Sequence, residues 1–94
     1  MSINQTLEQR GSRYGKFKDV AATTYALQEI LRSASNYERM ADDQIIALDM
    51  ICNKIARIVN GDPNYIDNWH DISGYATLVE QELSVTGRDK EQSQ

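Results

Sequence analysis

LDMICNKIARIVNGDPNYIDNWHDISGYATLV, residues 48–79, decides the fold. Both halves carry apolar residues at helical spacing, and Asn60-Gly61-Asp62-Pro63 stands between them. Glycine suits the left-handed position after a helix C-terminus and proline cannot continue a helix, so the segment reads as helix, stop, helix. Asp49, Lys54 and Arg57 fall on the first helix, and Asp67, His70 and Asp71 on the second. Polar groups on two helices joined by a short turn are expected to share one groove, and function is sought there.

The first of these helices is expected to start near Asp42, an N-cap candidate with acid in the first turn. Its main stripe is Ile45, Leu48, Ile51, Cys52, Ile55 and Val59, while Ile46 and Met50 lie on the opposite side. A helix apolar on two sides is either sandwiched in its fold or used by another subunit. In so small a chain the subunit contact is favoured. The following helix runs from near Asp67 to about Val85, with Trp69, Ile72, Ala76, Val79 and Leu83 as a seam against its predecessor. Gly74 in its middle costs about 1 kcal/mol relative to Ala, which predicts close approach of another backbone or a ligand. Thr86-Gly87 ends it.

Upstream, apolar residues at 17, 20, 21, 24, 27 and 31 predict a helix from Phe17 to about Ser33. Before it, Gly11 and Gly15 punctuate a basic stretch from Arg10 to Phe17, expected to be a loop with free backbone N–H groups. The expected architecture is all-α: a three-helix antiparallel bundle over 17–86, completed by oligomerisation. A polar arm with a basic Gly-rich loop precedes it over 1–16, and a mobile charged tail follows over 87–94.

Ninety-four residues make one small domain, and 40% hydrophobic with 26% charged residues is ordinary for a soluble chain. A net charge of −4 argues against generic nucleic-acid or anionic-membrane binding. Neither a signal peptide nor a membrane-length apolar run is seen, so a cytoplasmic protein is expected. The one cysteine, Cys52, excludes an intramolecular disulfide, and its place on an apolar stripe makes it a buried small hydrophobe. The one histidine has neither Ser73 nor Cys52 at a spacing that would place it alongside, so covalent hydrolysis is not supported.

Two chemistries compete for the polar residues. Asp67 and Asp71 share a helix face with His70 at its edge, and with Asp49 these acids suit magnesium or manganese. The plain alternative makes Asp67 a cap and pairs Lys54 and Arg57 with the acids. Between Glu8 and Lys18 the cations Arg10, Arg13, Lys16 and Lys18 face one acid. With Lys54 and Arg57 they suit phosphate, and Tyr14 suits base stacking. The Walker spacing GxxxxGK[ST] is absent. Trp69 and Tyr65 are expected in the core or beneath the Pro63 turn.

Several blocks together carry a resemblance. They are Glu8 to Phe17, Ala47-Leu48-Asp49-Met50-Ile51, Lys54-Ile55-Ala56-Arg57-Ile58, Asn60-Gly61-Asp62-Pro63 and Asp67 to Ala76. Over about residues 6 to 82 the chain resembles a family of small phage and prophage proteins of unassigned function. That implies a phage setting and a helical fold, not an activity. It is more distantly similar to the all-α nucleotide pyrophosphohydrolases of the MazG and dUTPase type, which hold magnesium with ExxE on one helix and ExxD on a later one. Asp71 falls on that pattern, but Asn68 replaces the glutamate before it, and Asp49 and Asn53 stand where two glutamates belong. A magnesium cluster around a polyphosphate needs more carboxylate than this.

Three functions follow as expectations. The first is a non-catalytic phage protein that binds a nucleotide or cyclic nucleotide as a homo-oligomer and so counters host defence. The second is a magnesium-dependent pyrophosphohydrolase with Asp49, Asp67 and Asp71 as ligands. The third is an interaction module whose Ile46/Met50 face grips a host protein.

Overall fold

The computed structural model describes residues 2–89, and these are helical throughout apart from short connections. Four helices follow in order: α1 (Ile3–Tyr14), α2 (Phe17–Arg32), α3 (Asp42–Asn60) and α4 (Ile66–Thr86), with a 3-10 turn at Tyr37–Arg39 between α2 and α3. The last three lie where the apolar spacing predicts.

The first corrects the sequence reading. The segment expected to be a polar arm and loop is helical to Tyr14, with Gly11 inside it. Its start is fixed by a reciprocal cap: the Gln5 N–H donates to Ser2 Oγ at 3.2 Å and the Ser2 N–H to Gln5 Oε1 at 3.0 Å. The Gly15 N–H, expected to be free, donates to Gly11 O at 2.9 Å.

The caps of α3 and α4 differ from expectation, by one residue and by two. Asp42 and Asp67 lie in the first turns of α3 and α4 rather than at their N-caps, which are Ala41 and Tyr65. At Ala41 the backbone N–H is satisfied by Gln44 Oε1 at 2.9 Å. The acids still face the positive end of the helix dipole.

α3 is the centre of the fold. Both α2 and α4 pack along it, and no comparable packing joins α2 to α4, so the three helices form an open layer rather than a closed bundle. Asn60 at the end of α3 donates to Thr23 Oγ1 near the start of α2 at 3.0 Å, which makes that pair antiparallel. Arg88 beyond α4 donates to both carboxylate oxygens of Asp43 at the start of α3, at 3.2 and 2.9 Å, which makes the second pair antiparallel too. The tail expected to be mobile over 87–94 thus has Arg88 anchored, and its residues 90–94 lie outside the described region.

The buried apolar set is small: Val20, Ala47, Cys52, Ala56 and Ile58. Ile55 and Val59 of the expected main stripe are exposed, as are Trp69 and Ala76 of the expected seam. The reason is geometric. With neighbours on either side, α3 buries its flanks (Ala47, Lys54 and Ile58; Cys52 and Ala56) and leaves the residues between them outside.

Two glycines fix where the chain reversals meet. A Cβ on Gly61 would lie 2.5 Å from Arg13 O, and one on Gly15 would lie 2.5 Å from Asn60 O. The α1–α2 and α3–α4 junctions therefore cross backbone to backbone, tied by the Asp62 N–H donating to Arg13 O at 3.0 Å. Gly15 has φ 88°, which favours glycine, whereas Gly61 has φ −119° and serves the close approach, not the left-handed position expected for it. Gly74, expected to admit another backbone, has nothing within 4 Å of where its Cβ would be.

Candidate functional site

The glycine crossing lays the last turn of α1 against the last turns of α3. Arg10 and Tyr14 from α1 and Arg57 from α3 are thereby brought together. The Arg57 Cζ sits 4.5 Å from the Tyr14 ring centroid and the Arg10 Cζ 5.0 Å from it. Tyr65, from the α3–α4 connection, meets Tyr14 edge-on at 5.7 Å between centroids and 70° between planes. Arg13 covers the Tyr65 ring at 5.3 Å. Each guanidinium gains about 0.5–1 kcal/mol from an aromatic face at an exposed site, enough to orient it and not enough to neutralise it.

A cavity of about 480 Å³ opens beside this stack, lined among others by Leu7, Arg10, Tyr14, Lys16, Asn53 and Arg57. Lys16 precedes α2, whose N-terminus receives no side-chain cap, so its first N–H groups add to the positive field there. The ion pairs among the described residues are Arg32–Glu29, Lys54–Asp71 and Arg88–Asp43. None of them involves Arg10, Arg13, Lys16 or Arg57. Four cations thus cluster around one cavity and its aromatic wall, in a chain of net charge −4.

The single groove expected to gather all the polar residues is divided in two. Lys54, expected to contact phosphate, is buried between α3 and α4 with its Nζ 3.1 Å from Asp71 Oδ2. Asp67 accepts a hydrogen bond from the Tyr65 hydroxyl at 2.9 Å, and that carboxylate holds the Tyr65 phenol above its ordinary pKa. Asp49 lies near Cys52 on α3. Among the described residues no three His, Cys, Asp or Glu side chains are placed to share a metal ion. Asp67 and Asp71 stand one turn apart on α4, but Asp49 does not join them as a third ligand.

Tyr14, expected to stack on a base, has protein neighbours on its ring. With Arg10 and Arg57 over its ring and Tyr65 at its edge, it positions the guanidiniums. Trp69 does lie beneath the Pro63 turn, donating its indole N–H to Pro63 O at 2.9 Å.

Two buried polar residues escaped the sequence reading. Asn68 is 1% exposed, and Lys54 is 8% exposed. Both sit on the contact line of α3 with α4, where the 47, 51, 54, 58 spacing of α3 carried the signal for Lys54. Asn68 stands one turn before Asp71, a spacing that places it on the same line.

Cys52 is buried, and its thiol pKa is raised first by that burial and then by the Asp49 charge. Thiolate is the reactive form, so alkylation of the folded protein is expected to be at least roughly tenfold slower than in denaturant. Mass-spectrometric timing of iodoacetamide uptake measures this; equal rates would contradict it.

Among the described residues no helix is long and apolar enough to cross a membrane. Comparison with curated proteins and with solved structures gives no match. A family model does match, over residues 3–83, nearly all of the helical region just described. The chain belongs to the DUF6378 family, a domain of unknown function.

Proposed function

We propose that this chain is a non-catalytic nucleotide-binding protein, with Arg10, Lys16 and Arg57 holding phosphate in the cavity between α1 and α3. The observation that carries the reading is the pair of guanidiniums over Tyr14 with, among the described residues, no carboxylate in an ion pair with either. Arginines held on an aromatic wall and free of acid partners suit a phosphate, which accepts paired N–H donors. Arg13, on the neighbouring ring, extends the field. Lys54 is assigned no ligand contact, because its ammonium is committed to Asp71.

Binding without turnover is favoured over magnesium-assisted pyrophosphate release because the three aspartates do not converge. A protein that holds a nucleotide without consuming it can act by lowering its free concentration. Sequestration of a cyclic nucleotide signal against a host defence is the role we assign on that basis.

Titration calorimetry against mono-, tri- and cyclic nucleotides tests the reading. At least one is expected to bind, and Arg57→Ala is expected to weaken that ligand by roughly 10–100-fold. Asp71→Asn should leave the affinity within about threefold if it stays folded, since Asp71 pairs with Lys54 and does not line the cavity. No heat with any nucleotide sinks the proposal. Pyrophosphate release that depends on Asp71 would replace it with the hydrolase.

A further inference from the structure

α3 carries a second apolar surface, turned away from the cavity. Leu48 and Ile51 line a groove of about 470 Å³ with Met40, Ala76 and Val79, and Asn36, Arg39 and Gln44 complete its lining. Helical spacing continues that stripe to Ile55 and Val59, which are 37% and 66% exposed. On α4, Trp69 stands two turns before Ala76 on the same side and is 54% exposed. Asn53 and Arg57, which line the cation cavity, point the opposite way around α3.

α1 covers part of one side of the α2–α3–α4 layer and the other side is left open, whereas stable domains pack one layer on another. The chain exposes 6992 Å², whereas a compact monomer of its mass exposes about 5,500 Å². Its radius of gyration is 15.9 Å, against about 12 Å for a compact chain of this length. Covering the excess in two copies would bury roughly 3,000 Å² in all, within the range of obligate homodimers.

We infer that a second copy of this chain docks on the surface formed by Leu48, Ile51, Ile55, Val59, Trp69 and Ala76. The surface is self-complementary along α3. Its N-terminal half holds the groove, and its C-terminal half holds the protruding Ile55, Val59 and Trp69. A two-fold axis perpendicular to α3 places the ridge of each copy in the groove of the other, the isologous arrangement of a closed dimer. No charged residue interrupts the α3 stripe. Ile46, whose side of α3 the spacing favoured for subunit contact, is left outside this interface. The inference does not depend on nucleotide binding.

Sedimentation equilibrium at micromolar concentration is expected to give twice the 10.7 kDa chain mass. Val59→Asp, at a position already exposed in the single chain, should raise the dissociation constant by at least about 30-fold, with helicity retained. Ile46→Asp should leave it within about threefold. The sole tryptophan reports on the unmodified protein: Trp69 emission should be blue-shifted in the dimer and move to the red on dilution. A monomer throughout the micromolar range, an unmoved Trp69 emission, or a dimer broken by Ile46→Asp and not by Val59→Asp overturns the inference.

Discussion

Gly61→Ala is expected to destabilise the domain by about 2–4 kcal/mol, read as a lower urea midpoint at unchanged slope. The added methyl would meet Arg13 O and Tyr14 C at 2.5 Å and Gly15 N at 2.6 Å. All three are backbone atoms, which cannot rotate aside as a flexible side chain would. Relief requires the α1–α2 junction to withdraw by about 1 Å, since carbon contacts settle near 3.5–4.0 Å. That movement breaks the Asp62 N–H to Arg13 O bond. Gly15→Ala should be worse, because φ 88° adds conformational strain to its clash with Asn60. Gly74→Ala is the control. Nothing lies within 4 Å of its added methyl, so removing a mid-helix glycine should stabilise by about 0.5–1 kcal/mol. A Gly61→Ala protein as stable as the parent would refute the crossing.

Asp71→Asn is expected to destabilise by about 1–3 kcal/mol because it leaves the Lys54 ammonium buried without its counter-charge. Breaking a fully buried pair costs about 3–5 kcal/mol. Here the Asp71 side chain is 42% exposed, so water screens the pair and the loss is smaller. The direction of the asymmetry is the sharper test. Lys54→Met removes the buried charge and keeps most of the volume, and should change stability by less than about 1 kcal/mol. Adding Lys54→Met to Asp71→Asn should recover stability relative to Asp71→Asn alone. Additive losses in urea titrations of the three variants would show that the two side chains do not interact.

The helix–stop–helix segment was legible because proline and glycine act locally: α3 ends at Asn60 and α4 begins at Ile66, as Asn60-Gly61-Asp62-Pro63 indicates. α1 was not, because Gly11 and Gly15 were given the same meaning. Gly11 is a tolerated helix residue, and only Gly15 is a junction. The spacing of Ser2 and Gln5 was the available signal for that helix. The grouping of Arg10, Arg13, Lys16 and Arg57 about Tyr14 was legible by residue type. Its separation from Lys54 was not, because helical periodicity does not say which neighbour flanks which side of a central helix. For the same reason Ile55 and Val59 looked like core. Their hydrophobicity marks a surface to be covered, and sequence alone does not say by what.

The first helix has 12 residues and buries none of them, and a segment that short is only marginally helical by itself. Arg10 and Tyr14 ride on it, while Arg57 belongs to the firmly flanked central helix. An occupant of the cavity would therefore act as a strut between a loosely moored element and a fixed one. Its apparent affinity is the intrinsic one scaled by the fraction of molecules in which the mooring holds. Crowding at position 15 or 61 would then slacken ligand capture from a distance, with every contacting group left intact.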